Sequence, residues 1–307
     1  MKAHLVNTSG ITGDLEYITL SYRWTDDTKR RQLTGYKEAA FYSCMSVSDW
    51  PPIFQDAVSI ARQLHIQYLW IDSLCIIQDS DADKVIQLQL VDRIYANGVL
   101  NLTAVEVPTG KSGLRLYRNP LEVAPCVVSR KVSTSDASLQ YFLCWRPEDF
   151  INSVDRSPLY IRGCTFQERL LSRQTVHVGR QLYWECAALR ASESFPISTD
   201  YPDLFVDNFA QSLKIQLQHK MQAVHEHNAV VDLHKLWCSV VRLYSNTELS
   251  YACDKVAAIR GITNMLIVRY GLSKDDYVAG IWRPCLPEQL LWVEMKTTSL
   301  VSKTRSS

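Results

Sequence analysis

LWIDSLCIIQD, residues 69 to 79, is an apolar run broken by Asp72 and Ser73 and closed by Asp79. With Tyr68 before it, apolar side chains fall at consecutive positions, not alternate ones, so the run reads as a strand covered on both faces, central in a parallel sheet. A carboxylate in such a strand is costly unless something satisfies it. Two readings of Asp72 therefore stand together. It caps the next turn or pairs with an arginine, or it reaches the carboxyl edge of the sheet, where α/β proteins bind their ligands. Asp79 reads as an ordinary helix-entry residue.

The flanks extend the pattern in both directions. Upstream, YITLSYRW (17–24) mixes β-branched and aromatic residues and runs into polar TDDTKRR, a strand feeding a loop. In SDWPPIFQDAVSIARQLHIQ, Pro51 and Pro52 mark a helix start, and Ile53, Phe54, Ala57, Val58, Ile60, Ala61 and Leu64 recur at helical spacing. Downstream, DSDADK offers caps, and VIQLQLVDRIYANG predicts a helix with Ile86, Leu90, Val91 and Ile94 on one face, ended at Asn97 and Gly98. VLNLTAVEV (99–107) is the third strand. Strand and helix in strict alternation predict a parallel sheet flanked by helices, with its functional edge at the carboxyl ends of the strands.

Beyond Val107 the rhythm loosens through KSGLRLYRNPLEVAPCVV, VSTSDAS and LQYFLCWRPED, read as an insertion of loops and short strands. Residues 157 to 186 predict a helix and one or two strands, 205 to 245 are helical in spacing, and 254 to 271 form a helix ended by Gly271. The tail KTTSLVSKTRSS is polar, as expected of a frayed end.

Composition narrows the partners. The 307 residues are 47% apolar and 21% charged, with a formal net charge of +1, which offers no field to draw in nucleic acid or an anionic membrane. Nine cysteines never form a C-x-x-C pair, so zinc is not expected. An odd cysteine count, no apolar leader segment and no apolar run of membrane-spanning length predict reduced thiols and a cytoplasmic or nuclear protein.

Few residue types point to chemistry. Cys75 lies inside the apolar run, where a thiol is inert. His225, His227 and His234 lack metal-site spacing and read as a solvated helix face. No phosphate-cradling glycine loop is present. IRGCTFQERLLSR (161–173) carries Arg162, Glu168, Arg169 and Arg173; surface salt bridging is one reading, and a helix aiming Glu168 at a substrate is the other.

Taken in order, YITLSYRW, FQDAVSIARQLHIQ, YLWIDSLCIIQD, DRIYANGVLNLTA and RGCTFQERLLSRQTVHVGRQLYWEC resemble the conserved blocks of the fungal heterokaryon incompatibility (HET) domain, over roughly residues 17 to 186. GIWRPCLPEQLLW is similar to a segment found downstream in the same proteins. The resemblance implies a HET domain at 17–186 followed by a mainly helical extension at 187–307. It also implies a role as an effector of non-self recognition that triggers cell death after incompatible strains fuse.

HET domains further resemble TIR domains, which implies a TIR-like (flavodoxin-like) α/β fold and, through the glutamate of NAD-cleaving TIR domains, Glu168 as catalytic residue. Ser21, Tyr22, Arg23, Trp24, Asp72, Ser73 and Arg162 are then expected to line the substrate site. NAD is the implied substrate, no other cofactor or metal is expected, and the partner is a second copy or a separate recognition protein. The alternative is a module of the same family that signals by self-association without turnover. Three blocks depart from the family's usual pattern: Cys164 replaces a tryptophan four residues before the glutamate, Lys84 and Gln87 replace the Trp and Glu of D-W-x-x-E, and Trp24-Thr25 replaces Trp-Gly.

Overall fold

The structure, a computed structural model, describes residues 1–106, 113–114, 123, 126–131, 138–143, 150–194, 209–218, 226–248 and 255–291. Along the chain run β1 (Tyr17–Ser21), α1 (Pro52–Gln63), β2 (Tyr68–Trp70), α2 (Asp81–Asn97) and β3 (Leu100–Ala104). A hairpin of β4 (Cys126–Lys131) and β5 (Ser138–Leu143) falls in the expected insertion. Then come α3 (Gly163–Leu171), β6 (Gln174–Val178), β7 (Leu182–Cys186) and β8 (Arg190–Ser192). Last are α4 (Phe209–Gln218), α5 (Glu226–Tyr244) and α6 (Arg260–Tyr270). The remainder of the predicted insertion and the polar tail from 292 onward lie outside the described residues.

Six strands form one sheet in the order β2-β1-β3-β6-β7-β8. The first four are parallel, as the alternation predicts, and β7 and β8 extend the sheet antiparallel. One expectation is corrected. The stretch 68–77 is neither central nor a long strand: β2 is three residues at the sheet edge, and β1 and β3 lie inside it. Ile71, Leu74 and Ile76 are buried because the chain folds into a helical turn, Asp72–Cys75, that packs into the core beneath β1. Apolar residues at consecutive positions serve such a turn as well as they serve a two-sided strand.

The sheet has two unlike faces. Successive strand residues point to opposite sides, and in β1, β3 and β6 one set is apolar while the other is polar. Ile18, Leu20, Leu102 and Val178 meet Phe54, Ala57 and Ala61 of α1 in the main core. Thr19, Ser21, Asn101, Thr103, Thr175 and His177 point the other way and are equally buried. Helices α2, α3 and α4 cover that polar face and join α5 and α6 in a second apolar cluster around Leu170, Leu213, Trp237 and Ile262.

Helix α2 starts where predicted, with the Ser80 hydroxyl accepting from the Asp83 amide, but its buried stripe is rotated. Val91 and Tyr95 face inward, whereas Ile86 and Leu90 are exposed. In its second half the Tyr17 hydroxyl of β1 donates to the Ile94 carbonyl at 2.7 Å, and in its first half Val85, Ile86 and Leu88 are exposed. The predicted helical stretch 205–245 is described as α4 and α5, and α6 ends as expected, with Gly271 left-handed at φ 63°. Among the described residues, no helix is long and apolar enough to cross a membrane.

Candidate functional site

Three segments meet at the carboxyl edge of the parallel strands: the end of β1, the turn after β2, and α3. The pleat of β1 turns Thr19 and Ser21 toward α3, and the Ser21 hydroxyl donates its proton to Glu168 Oε2. Asn101, beside Ser21 on β3, donates from Nδ2 to Ser21 Oγ at 3.2 Å and accepts from Thr19 Oγ1 at 3.0 Å. Thr19, Asn101, Ser21 and Glu168 thus form one directed hydrogen-bond chain. Tyr95 of α2 lies buried beside Ser21 and Glu168, close enough for its hydroxyl to influence the carboxyl, while its ring meets Trp70 edge-on at 5.5 Å.

Asp72 is the first residue of the helical turn after β2; Trp24 Nε1 donates to its Oδ2 at 2.7 Å and the Ser73 amide to its Oδ1 at 2.6 Å. It also stands near enough to Glu168 and Arg162 for all three charges to interact. Tyr22 donates to Ser73 Oγ at 2.7 Å, fixing the turn beneath the site. Burial raises the Asp72 carboxyl, opposed by the bonds from Trp24 and the Ser73 amide and by the Arg162 charge.

Glu168 is half-buried, and burial pushes its carboxyl up to about 7. The Asp72 charge adds to that rise, and Ser21, Tyr95 and Arg162 oppose it. The result is a carboxyl near half-ionised at neutral pH, still reachable from the sheet edge. Desolvation with nearby charges is the usual mark of a tuned acid or base.

Of the predicted site residues, Ser21, Tyr22, Trp24, Asp72, Ser73, Arg162 and Glu168 come together. Arg23 points outward, exposed, and makes no hydrogen bond or ion pair among the described residues. Cys164, one turn before Glu168, is exposed where the family's usual indole would stand. Gln87 bonds Asp83 Oδ1 at 3.3 Å, while Asp83 Oδ2 accepts from the Ile77 amide at 2.8 Å; this part of α2 holds the preceding turn. Burial raises Cys75 to about 11, which keeps it a thiol. His234 lies beside Cys238 Sγ at 3.7 Å on α5; His225 and the side chain of His227 lie outside the described residues.

Surface salt bridging by Arg169 is corrected outright. Its guanidinium grips Glu185 through Nε at 2.8 Å and Nη2 at 2.9 Å, and reaches Asp155 at 2.5 Å. Arg190 binds Glu185 from the next strand at 2.5 and 2.9 Å, and the Lys214 ammonium stands 3.9 Å away. These cations hold the Glu185 carboxylate well below its usual range against burial. His177 Nδ1 is bonded by Thr103 at 2.8 Å and by Tyr160 at 3.0 Å. Burial lowers His177 to about 4, so the ring is neutral. The polar band therefore runs unbroken along the sheet from Glu168 to Arg190. Its signal was present in QTVHV and LYWEC, where polar residues alternate with apolar ones in strands that are not exposed.

Comparison with known proteins adds the family. Residues 17–168 match the family model described as heterokaryon incompatibility protein (HET). Over 98 residues the chain is 31% identical to "Heterokaryon incompatibility protein 6, OR allele" of Neurospora crassa, a match that covers 30% of this chain and 14% of that protein. The chain thus corresponds to a small part of that relative's length. No solved structure matches it.

Proposed function

Since the chain is a heterokaryon incompatibility (HET) domain protein, we propose that it acts in fungal non-self recognition as a cytoplasmic effector that promotes cell death by cleaving NAD at Glu168. The relative's name supports the recognition role. The observation that carries the chemistry is the Ser21 to Glu168 hydrogen bond, which ties a carboxyl raised to about 7 to the carboxyl end of β1. β1 lies at the point where the strand order turns from β2 on one side to β3 on the other, the place where doubly wound sheets bind ligands. The order β2-β1-β3 with parallel pairing also supports a TIR-like sheet.

In the reaction, the bond from ribose C1′ to the nicotinamide nitrogen breaks and nicotinamide leaves neutral with the electron pair. Positive charge develops on C1′ and the ring oxygen. Ionised Glu168 stabilises that charge or orients a ribose hydroxyl, and water then adds to C1′ and releases a proton. Ser21 holds the carboxylate by its hydrogen bond, and Arg162 and exposed Arg23 offer positive charge to the phosphates. The test is nicotinamide release from NAD by the purified protein beside Glu168→Gln. Release by the wild type that rises as pH passes about 7 and is lost in the variant is the expected result; equal background from both refutes catalysis.

A second reading, signalling by self-association without turnover, is favoured by the first half of α2, where Val85, Ile86 and Leu88 are 57%, 56% and 49% exposed. Light scattering of Ile86→Glu against wild type tests it. Loss of assembly together with an intact fold supports that reading, and an unchanged mass refutes it.

A further inference from the structure

Helix α3 carries Glu168 and yet is nine residues long, short of the length at which a helix holds itself in water. It ends at Ser172 with an extended backbone, φ −61° and ψ 130°, and no left-handed glycine closes it. Its last carbonyls therefore need partners from elsewhere. Ser172 serves the Glu168 carbonyl, from its amide at 3.2 Å and its hydroxyl at 2.6 Å. The next two are met from α4: Lys214 Nζ donates to the Arg169 carbonyl at 3.0 Å, and Gln218 Nε2 donates to the Leu170 carbonyl at 2.9 Å. The second Gln218 proton goes to the Ser172 carbonyl at 2.9 Å, so both hydrogens of that amide are spent on this helix end.

The rest of α3 is held by the same part of the chain. At its start, the Gly163 amide donates to the Glu248 carbonyl at 2.8 Å and the Glu248 amide to the Ile161 carbonyl at 2.6 Å. On its flank, the Gly261 amide donates to Gln167 Oε1 at 3.2 Å. Glu168 is thus presented by a short helix whose start, flank and end are fastened by Glu248, Gly261, Lys214 and Gln218, beyond the segment matched to the family.

We propose that Lys214 and Gln218 are positioning residues for Glu168: by terminating α3 they hold its carboxyl against Ser21, and the helical C-terminal segment is a working part of the site. They act through the backbone of α3 and touch no substrate. The catalytic consequence rests on the NAD-cleavage reading; the mechanical one does not.

Hydrogen exchange on the full chain separates the two. In Gln218→Met, which keeps length and removes both donors, amides of residues 168–172 should exchange about tenfold faster, the loss expected for one or two hydrogen bonds. Protection in β1 and β3 should hold. On the same sample, NAD cleavage should show a lowered kcat with little change in KM, and Gln218→Lys, which retains N–H donors, should restore both. Unchanged exchange in α3 overturns the proposal even if wild type cleaves NAD. If no sample cleaves NAD, the enzyme reading fails while the exchange result still decides the clamp. Should Gln218→Met loosen β1 and β3 as well, Gln218→Lys decides: wild-type protection of 168–172 sustains the clamp and faster exchange refutes it.

Discussion

Replacing the candidate catalytic glutamate should make the protein more stable, and only above a defined pH. In the folded chain Glu168 is raised from 4.5 to about 7, chiefly by burial. A folded-state value above the unfolded one means the folded state binds the proton more tightly. Its contribution is therefore fully present below about 4.5 and lost as pH rises through about 7. At 1.36 kcal/mol for each tenfold in proton affinity, the ionised carboxylate costs about 3 kcal/mol at pH 8. Glutamine never ionises, and its amide oxygen accepts from Ser21 as the carboxylate does. Glu168→Gln should thus match wild type at pH 4.5 and exceed it by about 2–3 kcal/mol at pH 8. Urea unfolding followed by tryptophan fluorescence at both pH values measures the difference. Equal or lower stability of the variant at pH 8 would show that the carboxylate is comfortably ionised where it sits, and the case for a tuned residue would fall.

The opposite sign is expected at the other carboxylate. Glu185→Gln leaves Arg169 and Arg190 with Asp155 and takes from Lys214 the carboxylate 3.9 Å away, and removing one partner of so buried a cluster should cost about 3–5 kcal/mol in urea unfolding at pH 7. Gly261→Ala would set a methyl 2.5 Å from Asp92 Cβ and 2.9 Å from Leu171 Cδ1, where α6 crosses α2 and α3. Overpacking there should cost about 1–3 kcal/mol and lower Tm by several degrees in a calorimetric scan. Finally, His177 is neutral in the fold and lowered to about 4 from 6.5, so stability should fall as pH drops from about 6.5 toward 4. His177→Gln should flatten that part of the unfolding profile.

Most of the scaffold was legible because the alternation of strand and helix is a local signal. YITLS, FQDAVSIARQ and LNLTA each carry their own periodicity, and a βαβ unit constrains the pairing to parallel. Local periodicity does not carry rank within the sheet, so an apolar stretch such as 68–77 could be a central strand or an edge strand with a buried turn. Glu168 was found through a resemblance, since nothing in QERL distinguishes a salt-bridging face from a site. Tyr95 went unnoticed because a tyrosine in a helix names no partner: its role depends on α2 crossing β1 within reach of Ser21. Arg169 was misread for a related reason. Its partner Glu185 is two elements away, and only the sheet's antiparallel extension sets Glu185 beneath α3.

The polar face of the sheet explains why Glu168 of α3 and Glu185 of β7 both lie between the sheet and that helix. An ordinary two-sided parallel sheet buries apolar residues on both faces; here Thr19, Ser21, Asn101, Thr103 and His177 replace them on one. Such a face is tolerable only if its members bond to one another or to groups above them. Arg169 grips Glu185 from α3, while Glu168, one residue before it on the same helix, accepts from Ser21. Glu185 is surrounded by cations and stays ionised; Glu168 has Arg162 and neutral donors, and the neighbouring Asp72 opposes its charge. Two adjacent turns of sheet and helix thereby separate an inert structural carboxylate from a responsive one. With Arg169 held by Glu185 and Asp155, α3 keeps Glu168 half-buried against Ser21.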